Sequence, residues 1–106
     1  MDAALQAIAE PRRREILRLV WSQELRAGEI AGHFEPAVTR PAISQHLRVL
    51  KDAGLLSERR EGTRRLYRAR PEGLAEVREY FESLWDASLE RLKKSAEEEA
   101  RKGAQK

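Results

Sequence analysis

The side chains best suited to form hydrogen bonds with another molecule lie on one face of the segment formed by residues 39–54. At about 100° per residue, Ile43, Leu47 and Leu50 fall on one stripe of a helix, and short polar groups fall on the other side. Hydroxyl, amide and guanidinium groups can read base edges in the major groove of DNA. An ordinary amphipathic helix with a solvated polar side would show the same pattern. The polar side consists of Pro41, Ser44, Gln45 and Arg48.

Both ends of this helix are marked by residues with a specific backbone role. Thr39 carries a hydroxyl that can accept a hydrogen bond from an unpaired amide, and Pro41 is tolerated in a first helical turn. Gly54 readily takes the left-handed conformation that ends a helix. The sequence therefore predicts a helix that begins at about Thr39 and ends at Gly54.

A shorter helix precedes this one. Ala27, Ile30 and Phe34 recur at helical spacing within residues 26–34, and residues 35–38 form a turn. A short helix, a turn and a longer polar-faced helix are typical of a helix-turn-helix, whose second helix enters the major groove.

Residues 57–70 combine a predicted β-hairpin with a basic charge. Gly62 supplies the turn, and Leu56 together with Leu66 or Tyr67 must pack on the helices. The segment holds six arginines and two glutamates. Charges on an edge strand can simply prevent aggregation, but a basic hairpin directly after a helix-turn-helix has the form of a wing laid along phosphates.

Two further helices are predicted before the helix-turn-helix. The first covers residues 3–9 and is too short to be stable alone. The second begins at Pro11, a residue well placed at the first position of a helix. Its predicted buried side consists of Ile16, Leu17, Leu19, Val20 and Trp21.

A cluster of positive charge opens the second helix. Arg12, Arg13 and Arg14 lie in its first turn, where the helix dipole disfavours cations. Either Glu10 and Glu15 or an external anion such as phosphate must offset them.

One long helix is predicted from Pro71 to about Lys94. Its apolar stripe is longer than so small a domain needs, so we expect a second copy of the same helix to cover it in a two-fold dimer. The alternative is an elongated helix folded over its own core. The chain is thus predicted to divide into a domain of residues 1–94 and a charged, frayed tail of residues 95–106. The stripe consists of Leu74, Val77, Phe81, Leu84, Trp85, Leu89 and Leu92.

Composition excludes several classes of function. The 106 residues carry a net charge of +3 and are expected to form one domain without a membrane span, because no apolar run approaches roughly 20 residues. The absence of cysteine excludes disulfides, thiolate catalysis and cysteine metal sites.

The N-terminus lacks the pattern of a signal peptide, so we expect a cytoplasmic protein. The sequence has no phosphate loop, nucleophile elbow or His-Glu metal motif, so no enzyme is predicted.

The sequence resembles the ArsR family of bacterial winged-helix repressors over residues 5–85. Four motifs occur in the family's order. They are Ala-Glu-Pro-Arg-Arg-Arg-Glu-Ile-Leu (9–17) at the opening, Gly-Glu-Ile-Ala (28–31) in the third helix, Arg-Pro-Ala-Ile-Ser-Gln-His-Leu (40–47) with Val-Leu (49–50) and Ala-Gly-Leu (53–55) in the recognition helix, and Arg-Arg-Glu-Gly (59–62) with Leu-Tyr (66–67) in the wing.

The predicted fold is therefore a winged helix-turn-helix, mainly α with a small β-hairpin: four helices, the hairpin and a last helix. The resemblance implies a homodimer, joined through the first and last helices, that binds an imperfect palindrome in a promoter. The predicted dimer contacts are Leu5, Ile8, Leu74, Val77, Phe81, Leu84 and Trp85.

Carried over position by position, the resemblance places the recognition helix in the major groove and the arginines of the hairpin on the wing. By helical angle His46 lies near the buried edge of its helix, which favours a structural role. Tyr67 is either a wing contact or a core residue. The predicted DNA-binding residues are Thr39, Arg40, Pro41, Ser44, Gln45, His46, Arg48, Arg60, Arg64, Arg65 and Tyr67.

The sequence departs from the family in two places. The turn of residues 35–38 is slightly longer than usual and contains an acid, which affects how the recognition helix approaches DNA. The Cys-x-Cys positions of the family's metal sensors are occupied by Arg26 and Gly28, and the last helix has no histidine for the family's other metal site. With only His33 and His46 in the chain, no metal or other cofactor is expected, and thiol redox sensing is excluded.

The function predicted is a sequence-specific dimeric repressor whose partners are double-stranded DNA and a second copy of the chain, with no membrane partner. Two alternatives remain: a winged-helix module that binds a protein, and a MarR- or PadR-like regulator that responds to an organic ligand. Ser44 and His46 point in different directions on their helix and form no nucleophile–base pair. The inducer is open: an organic ligand between the long helices, a protein partner, or none.

Overall fold

The computed structural model describes residues 1–104; Gln105 and Lys106, the end of the predicted tail, lie outside the described residues. The chain forms two compact units, Met1–Ala75 and Glu76–Lys106. The elements in order are α1 (Asp2–Ile8), α2 (Pro11–Leu19), β1 (Leu25–Arg26), α3 (Ala27–Phe34), α4 (Arg40–Asp52), β2 (Leu56–Glu61), β3 (Arg64–Ala69), a 3-10 helix (Pro71–Leu74) and α5 (Ala75–Ala104).

The core of the first unit draws its largest buried side chains from each of the central helices. Ile16 of α2, Ile30 of α3, and Ile43 and Leu50 of α4 are almost completely buried, as is Leu55 just before β2. Their apolar stripes recur at helical spacing, so burying them together fixes α3 and α4 against α2. The α3–turn–α4 arrangement followed by the β2–β3 hairpin confirms the predicted winged helix-turn-helix.

Helix α4, the predicted recognition helix, has the ends that the sequence predicts. The Thr39 hydroxyl accepts a hydrogen bond from the Ala42 amide at 3.3 Å, and Pro41 lies in the first turn. Gly54 takes the left-handed conformation with φ +79°, and Gly62 does the same at the hairpin turn with φ +63°. The lengths of α4 and of the hairpin are therefore fixed by local backbone chemistry.

A third strand completes the sheet and was not predicted. The strand order is β1-β3-β2, with both pairings antiparallel, and Leu25 lies opposite Tyr67 while Arg26 lies opposite Leu66. Because β1 has only two residues, it carries no alternating pattern that sequence reasoning could detect. Through β1 the hairpin is joined to the segment that leads into α3.

The predicted limits of the second and last helices are wrong. The second helix ends at Leu19, so Trp21 lies beyond its apolar stripe and is 45% exposed instead of buried. The last helix begins at Ala75, because Pro71–Leu74 forms a separate 3-10 turn.

Arg13 and Arg14 at the start of α2 are compensated in a way that the sequence did not predict. The Arg13 Nε donates to the Ala7 carbonyl at 2.6 Å, and the Arg14 Nη1 donates to the Ile8 carbonyl at 2.7 Å. These carbonyls end α1, the negative end of that helix. The two arginines therefore fasten α1 to α2.

Within the described residues the second unit consists of helix α5, which extends through Ala104 and so past the predicted end near Lys94. Val77 is buried, whereas the large apolar side chains that follow it are exposed in the single chain. These are Tyr80, Phe81, Leu84, Trp85, Leu89 and Leu92.

Candidate nucleic-acid interface

An open cleft of about 640 Å³ lies between α4 and the hairpin. One wall is the polar side of α4, and the other is formed by β2 and β3. We call it the recognition cleft, and it is lined by Ala27, Pro41, Ser44, Gln45, Leu47, Arg48, Lys51, Asp52, Glu58, Arg65 and Tyr67.

The polar side of α4 carries three side chains that are free to bind an external molecule. Ser44, Gln45 and Arg48 are exposed, and none of them has a hydrogen-bond or ion-pair partner among residues 1–104. They provide a hydroxyl, an amide and a guanidinium within one cleft. Direct readout of base edges uses donors and acceptors of these kinds.

The first turn of α4 is more constrained. The Thr39 hydroxyl already accepts from the Ala42 amide, and the Arg40 Nε donates to a Glu35 carboxylate oxygen at 3.2 Å. Arg40 remains two-thirds exposed, so its other guanidinium nitrogens face solvent. The acid in the turn before α4 thus forms an ion pair with the first residue of the helix.

His46 faces away from the recognition cleft. Its Nδ1 lies 3.4 Å from Nη1 of Arg13, and its Nε2 lies 3.9 Å from a carboxylate oxygen of Glu10. Only 17% of its side chain is exposed. These contacts join α4 to the start of α2, which agrees with the structural role that its helical angle favoured.

The arginines of the hairpin fall into two groups. Arg59 donates to Glu24 and Glu61, and the Arg65 Nε lies 3.5 Å from a Glu58 oxygen. The remaining hairpin arginines, Arg60, Arg64 and Arg68, are exposed, and in the described part of the chain their side chains form no hydrogen bond and no ion pair within 4.0 Å.

Tyr67 is buried, with 6% of its surface exposed, and lies opposite both Leu25 and Glu58 in the sheet. Its ring therefore belongs to the core, one of the two roles that the sequence left open. It also lines the recognition cleft.

Two charged residues of the cleft were missed from the sequence. Lys51 lies seven residues after Ser44, and helical periodicity places both on the same side of α4. Its Nζ donates to Glu58 of β2 at 2.7 Å. The hydrogen bond from Lys51, together with the charge of Arg65, lowers the pKa of Glu58. Only the register of the hairpin against α4 reveals this pair.

The described residues show no sign of two other kinds of site. Among residues 1–104 no three His, Cys, Asp or Glu side chains are grouped so that they could hold a metal ion. Over the same range no helix has both the length and the apolar character needed to span a membrane.

Comparison with known proteins agrees with this geometry. Residues 10–58 match the profile of the family described as bacterial regulatory protein, arsR family. The HTH-type transcriptional regulator Rv2034 of Mycobacterium tuberculosis is 43% identical over 88 residues, which cover 83% of this chain and 80% of that protein. The chain belongs to the ArsR family. The predicted family and the predicted class of function, a transcriptional regulator, are thereby confirmed.

Two further relatives add detail about function and assembly. The transcriptional repressor SdpR of Bacillus subtilis is 42% identical over 62 residues, covering 58% of this chain and 67% of that protein. A solution structure from Mycobacterium bovis, described as a homodimeric winged helix-turn-helix DNA-binding domain, is 32% identical with a TM-score of 0.62. The match covers 80% of this chain and 77% of that one.

Proposed function

We propose that this ArsR-family protein is a homodimeric repressor that acts in the cytoplasm by occupying a palindromic operator in a promoter. The observation that carries the proposal is the recognition cleft, in which the unpaired Ser44, Gln45 and Arg48 lie opposite a basic hairpin. The repressor named among its relatives and the homodimeric DNA-binding domain support the same assignment.

In this proposal α4 enters the major groove and its outward side chains read base edges. Gln45 can form two hydrogen bonds with adenine, and Arg48 can do so with guanine. The exposed Arg60 and Arg64 contact phosphates on either side of the groove or enter the minor groove. Thr39, Arg40 and Pro41 lie at the end of α4 that approaches the backbone.

The dimer places two recognition helices about one DNA turn apart, roughly 34 Å. Phe81, Leu84 and Trp85 are about half exposed or more in the single chain, and an apolar stripe of this length needs a partner. We assign the second copy to this stripe, together with Leu5 and Ile8 of α1 and with Leu74; the predicted contact Val77 is already buried within the single chain. Within this scheme residues 1–94 form the functional domain, and residues 95–106 are a charged extension.

The alternative function, a winged-helix module that binds a protein, is distinguished by charge reversal on the hairpin. Arg64→Glu/Arg65→Glu lowers the net charge beside the cleft by four units. A control, Lys94→Glu/Arg101→Glu on the side of α5 away from its apolar stripe, makes the same change elsewhere. Fluorescence anisotropy with a labelled promoter duplex is expected to show at least about 100-fold weaker binding for the hairpin variant only, because phosphate contacts dominate affinity. Light scattering should show that both variants remain dimers. Equal binding by the wild type and the hairpin variant would contradict the proposal.

A further inference from the structure

The recognition cleft, which faces DNA in the proposed function, is lined by an acid as well as by cations. Glu58 of β2 is a largely covered side chain, with 13% of it exposed, between the hairpin and α4. A carboxylate at this point repels phosphate, so its presence in a DNA-binding cleft needs a physical reason.

Glu58 neutralises two of the cleft's cations at once. One of its oxygens accepts from the Lys51 Nζ at 2.7 Å, and the other lies 3.5 Å from the Arg65 Nε. Lys51 comes from the last turn of α4 and Arg65 from β3, so the acid is shared by both walls of the cleft. Arg48, on the same side of α4, has no partner in the range 1–104 and remains fully available.

We propose that Glu58 is a specificity-determining residue. Its carboxylate pairs with Lys51 and Arg65 and keeps both cations from binding phosphates, so that the protein binds non-specific DNA weakly. The inference rests on the proposed DNA-binding function. A phosphate must displace the carboxylate to gain either cation, and only a closely fitted operator, on which the base contacts are also made, compensates for that exchange. Glu58 acts through the two cations and is a positioning residue, not a DNA contact.

The low pKa of Glu58 is consistent with this role. Because the hydrogen bond from Lys51 stabilises the ionised form, the carboxylate stays charged throughout the neutral range. The ion pairs are therefore present whenever the protein meets DNA at physiological pH.

The test is the salt dependence of binding to a scrambled duplex without an operator. Glu58→Gln keeps the shape of the side chain and removes its charge. Each phosphate contact adds about 0.9 to the slope of log affinity against log salt, so the variant should show a slope steeper by up to about 1.8 per protomer. We expect about tenfold tighter non-specific binding at low salt and a smaller gain on the promoter duplex, which lowers the ratio of specific to non-specific affinity.

The matched control is Glu72→Gln, which changes the net charge equally and frees Arg70 outside the cleft. It should leave the slope on both duplexes near the wild-type value. An equal response from both glutamate variants would show a general charge effect and would overturn the inference. So would an unchanged or weaker non-specific affinity for Glu58→Gln.

A second pair of variants tests the inference even if Glu58→Gln is poorly folded. Lys51→Gln should change the non-specific affinity and slope little, because Glu58 already neutralises Lys51, whereas Arg60→Gln, which removes a proposed phosphate contact, should flatten the slope by about 0.9. Equal losses of non-specific affinity from the two substitutions would refute the proposed role of Glu58 while leaving the repressor proposal intact. No DNA binding by the wild type at any salt concentration would overturn the proposed function and this inference together.

Discussion

Arg59 binds Glu24 through two hydrogen bonds, from Nη2 to Oε1 at 2.6 Å and from Nε to Oε2 at 3.1 Å. Arg59 lies on β2, and Glu24 immediately precedes β1. The pair therefore fastens the outer strand of the hairpin to the segment that leads into α3. A two-point guanidinium–carboxylate contact fixes orientation as well as distance, so it holds the hairpin in place beside α4.

We expect Glu24→Gln to lower the free energy of unfolding at neutral pH but not in acid. The hydrogen bond from Arg59 lowers the pKa of Glu24 below 4.5. Its stabilising contribution is then fully present above the unfolded-state pKa and is lost as the pH falls through the folded-state value. Urea unfolding of wild type and variant at about pH 7 and about pH 3 measures the difference.

Glu97→Gln is the control, because the Glu97 side chain has no partner within residues 1–104 and should not affect stability at either pH. A wild-type advantage over Glu24→Gln that is as large in acid as at neutral pH would contradict the assigned role of the pair.

Gln45→Ala should lose discrimination at one operator position. The amide is exposed in the recognition cleft and has no other partner in the described chain. A two-point contact with one base contributes about 1–3 kcal/mol, so the variant should bind the operator roughly 5- to 150-fold more weakly and tolerate changes at that base pair. Affinity measured against a set of single-base operator variants tests this.

Arg60→Gln is the comparison for Gln45→Ala. A phosphate contact carries no sequence information, so this variant should weaken binding to every duplex about equally. Loss of discrimination with Arg60→Gln but not with Gln45→Ala would mean that the two roles are reversed.

Trp85→Glu should convert the dimer to monomers. The ring is 69% exposed in the single chain and lies on the apolar stripe of α5, so burying a carboxylate there costs far more than leaving it in water. Ala87→Glu adds the same charge away from the centre of that stripe and should remain dimeric. Light scattering measures the molar mass of both variants. A dimeric Trp85→Glu variant would place the interface elsewhere.

Gly54→Ala should destabilise the protein by about 1–2 kcal/mol, because its φ of +79° is costly for a residue with a Cβ atom. The strain is purely backbone, since the added Cβ would meet nothing closer than Arg70 Nη1 at 4.0 Å. Gly28→Ala in α3 is the control: its Cβ meets no atom within 4 Å, and alanine favours a helix, so its stability should be unchanged or higher. Thermal unfolding of both variants measures the contrast.

Local signals explain which parts of the fold were predictable. Thr39, Pro41 and Gly54 fix the ends of α4 through interactions within a few residues, and Gly62 does the same for the hairpin. Trp21 was misplaced because the apolar pattern continues past the residue at which the helix ends.

The unpredicted parts depend on contacts between residues that are distant in sequence. The two-residue strand β1 exists only by pairing with β3. The side chains of Ser44 and Gln45 could be assigned to an outward face by periodicity alone. The ion pairs of Arg59 with Glu24 and of Glu58 with Lys51 required the register of the sheet, so the sequence could not separate available arginines from neutralised ones.

The most direct test of the repressor proposal is a fluorescence-anisotropy titration of the purified protein against its own promoter duplex and a scrambled duplex at several salt concentrations. We predict preferential binding to the promoter, with two chains per duplex and an affinity that falls steeply with salt. Equal, weak binding to both duplexes would contradict recognition of its own promoter. No binding to either at low salt would contradict DNA binding itself and favour the protein-interaction module.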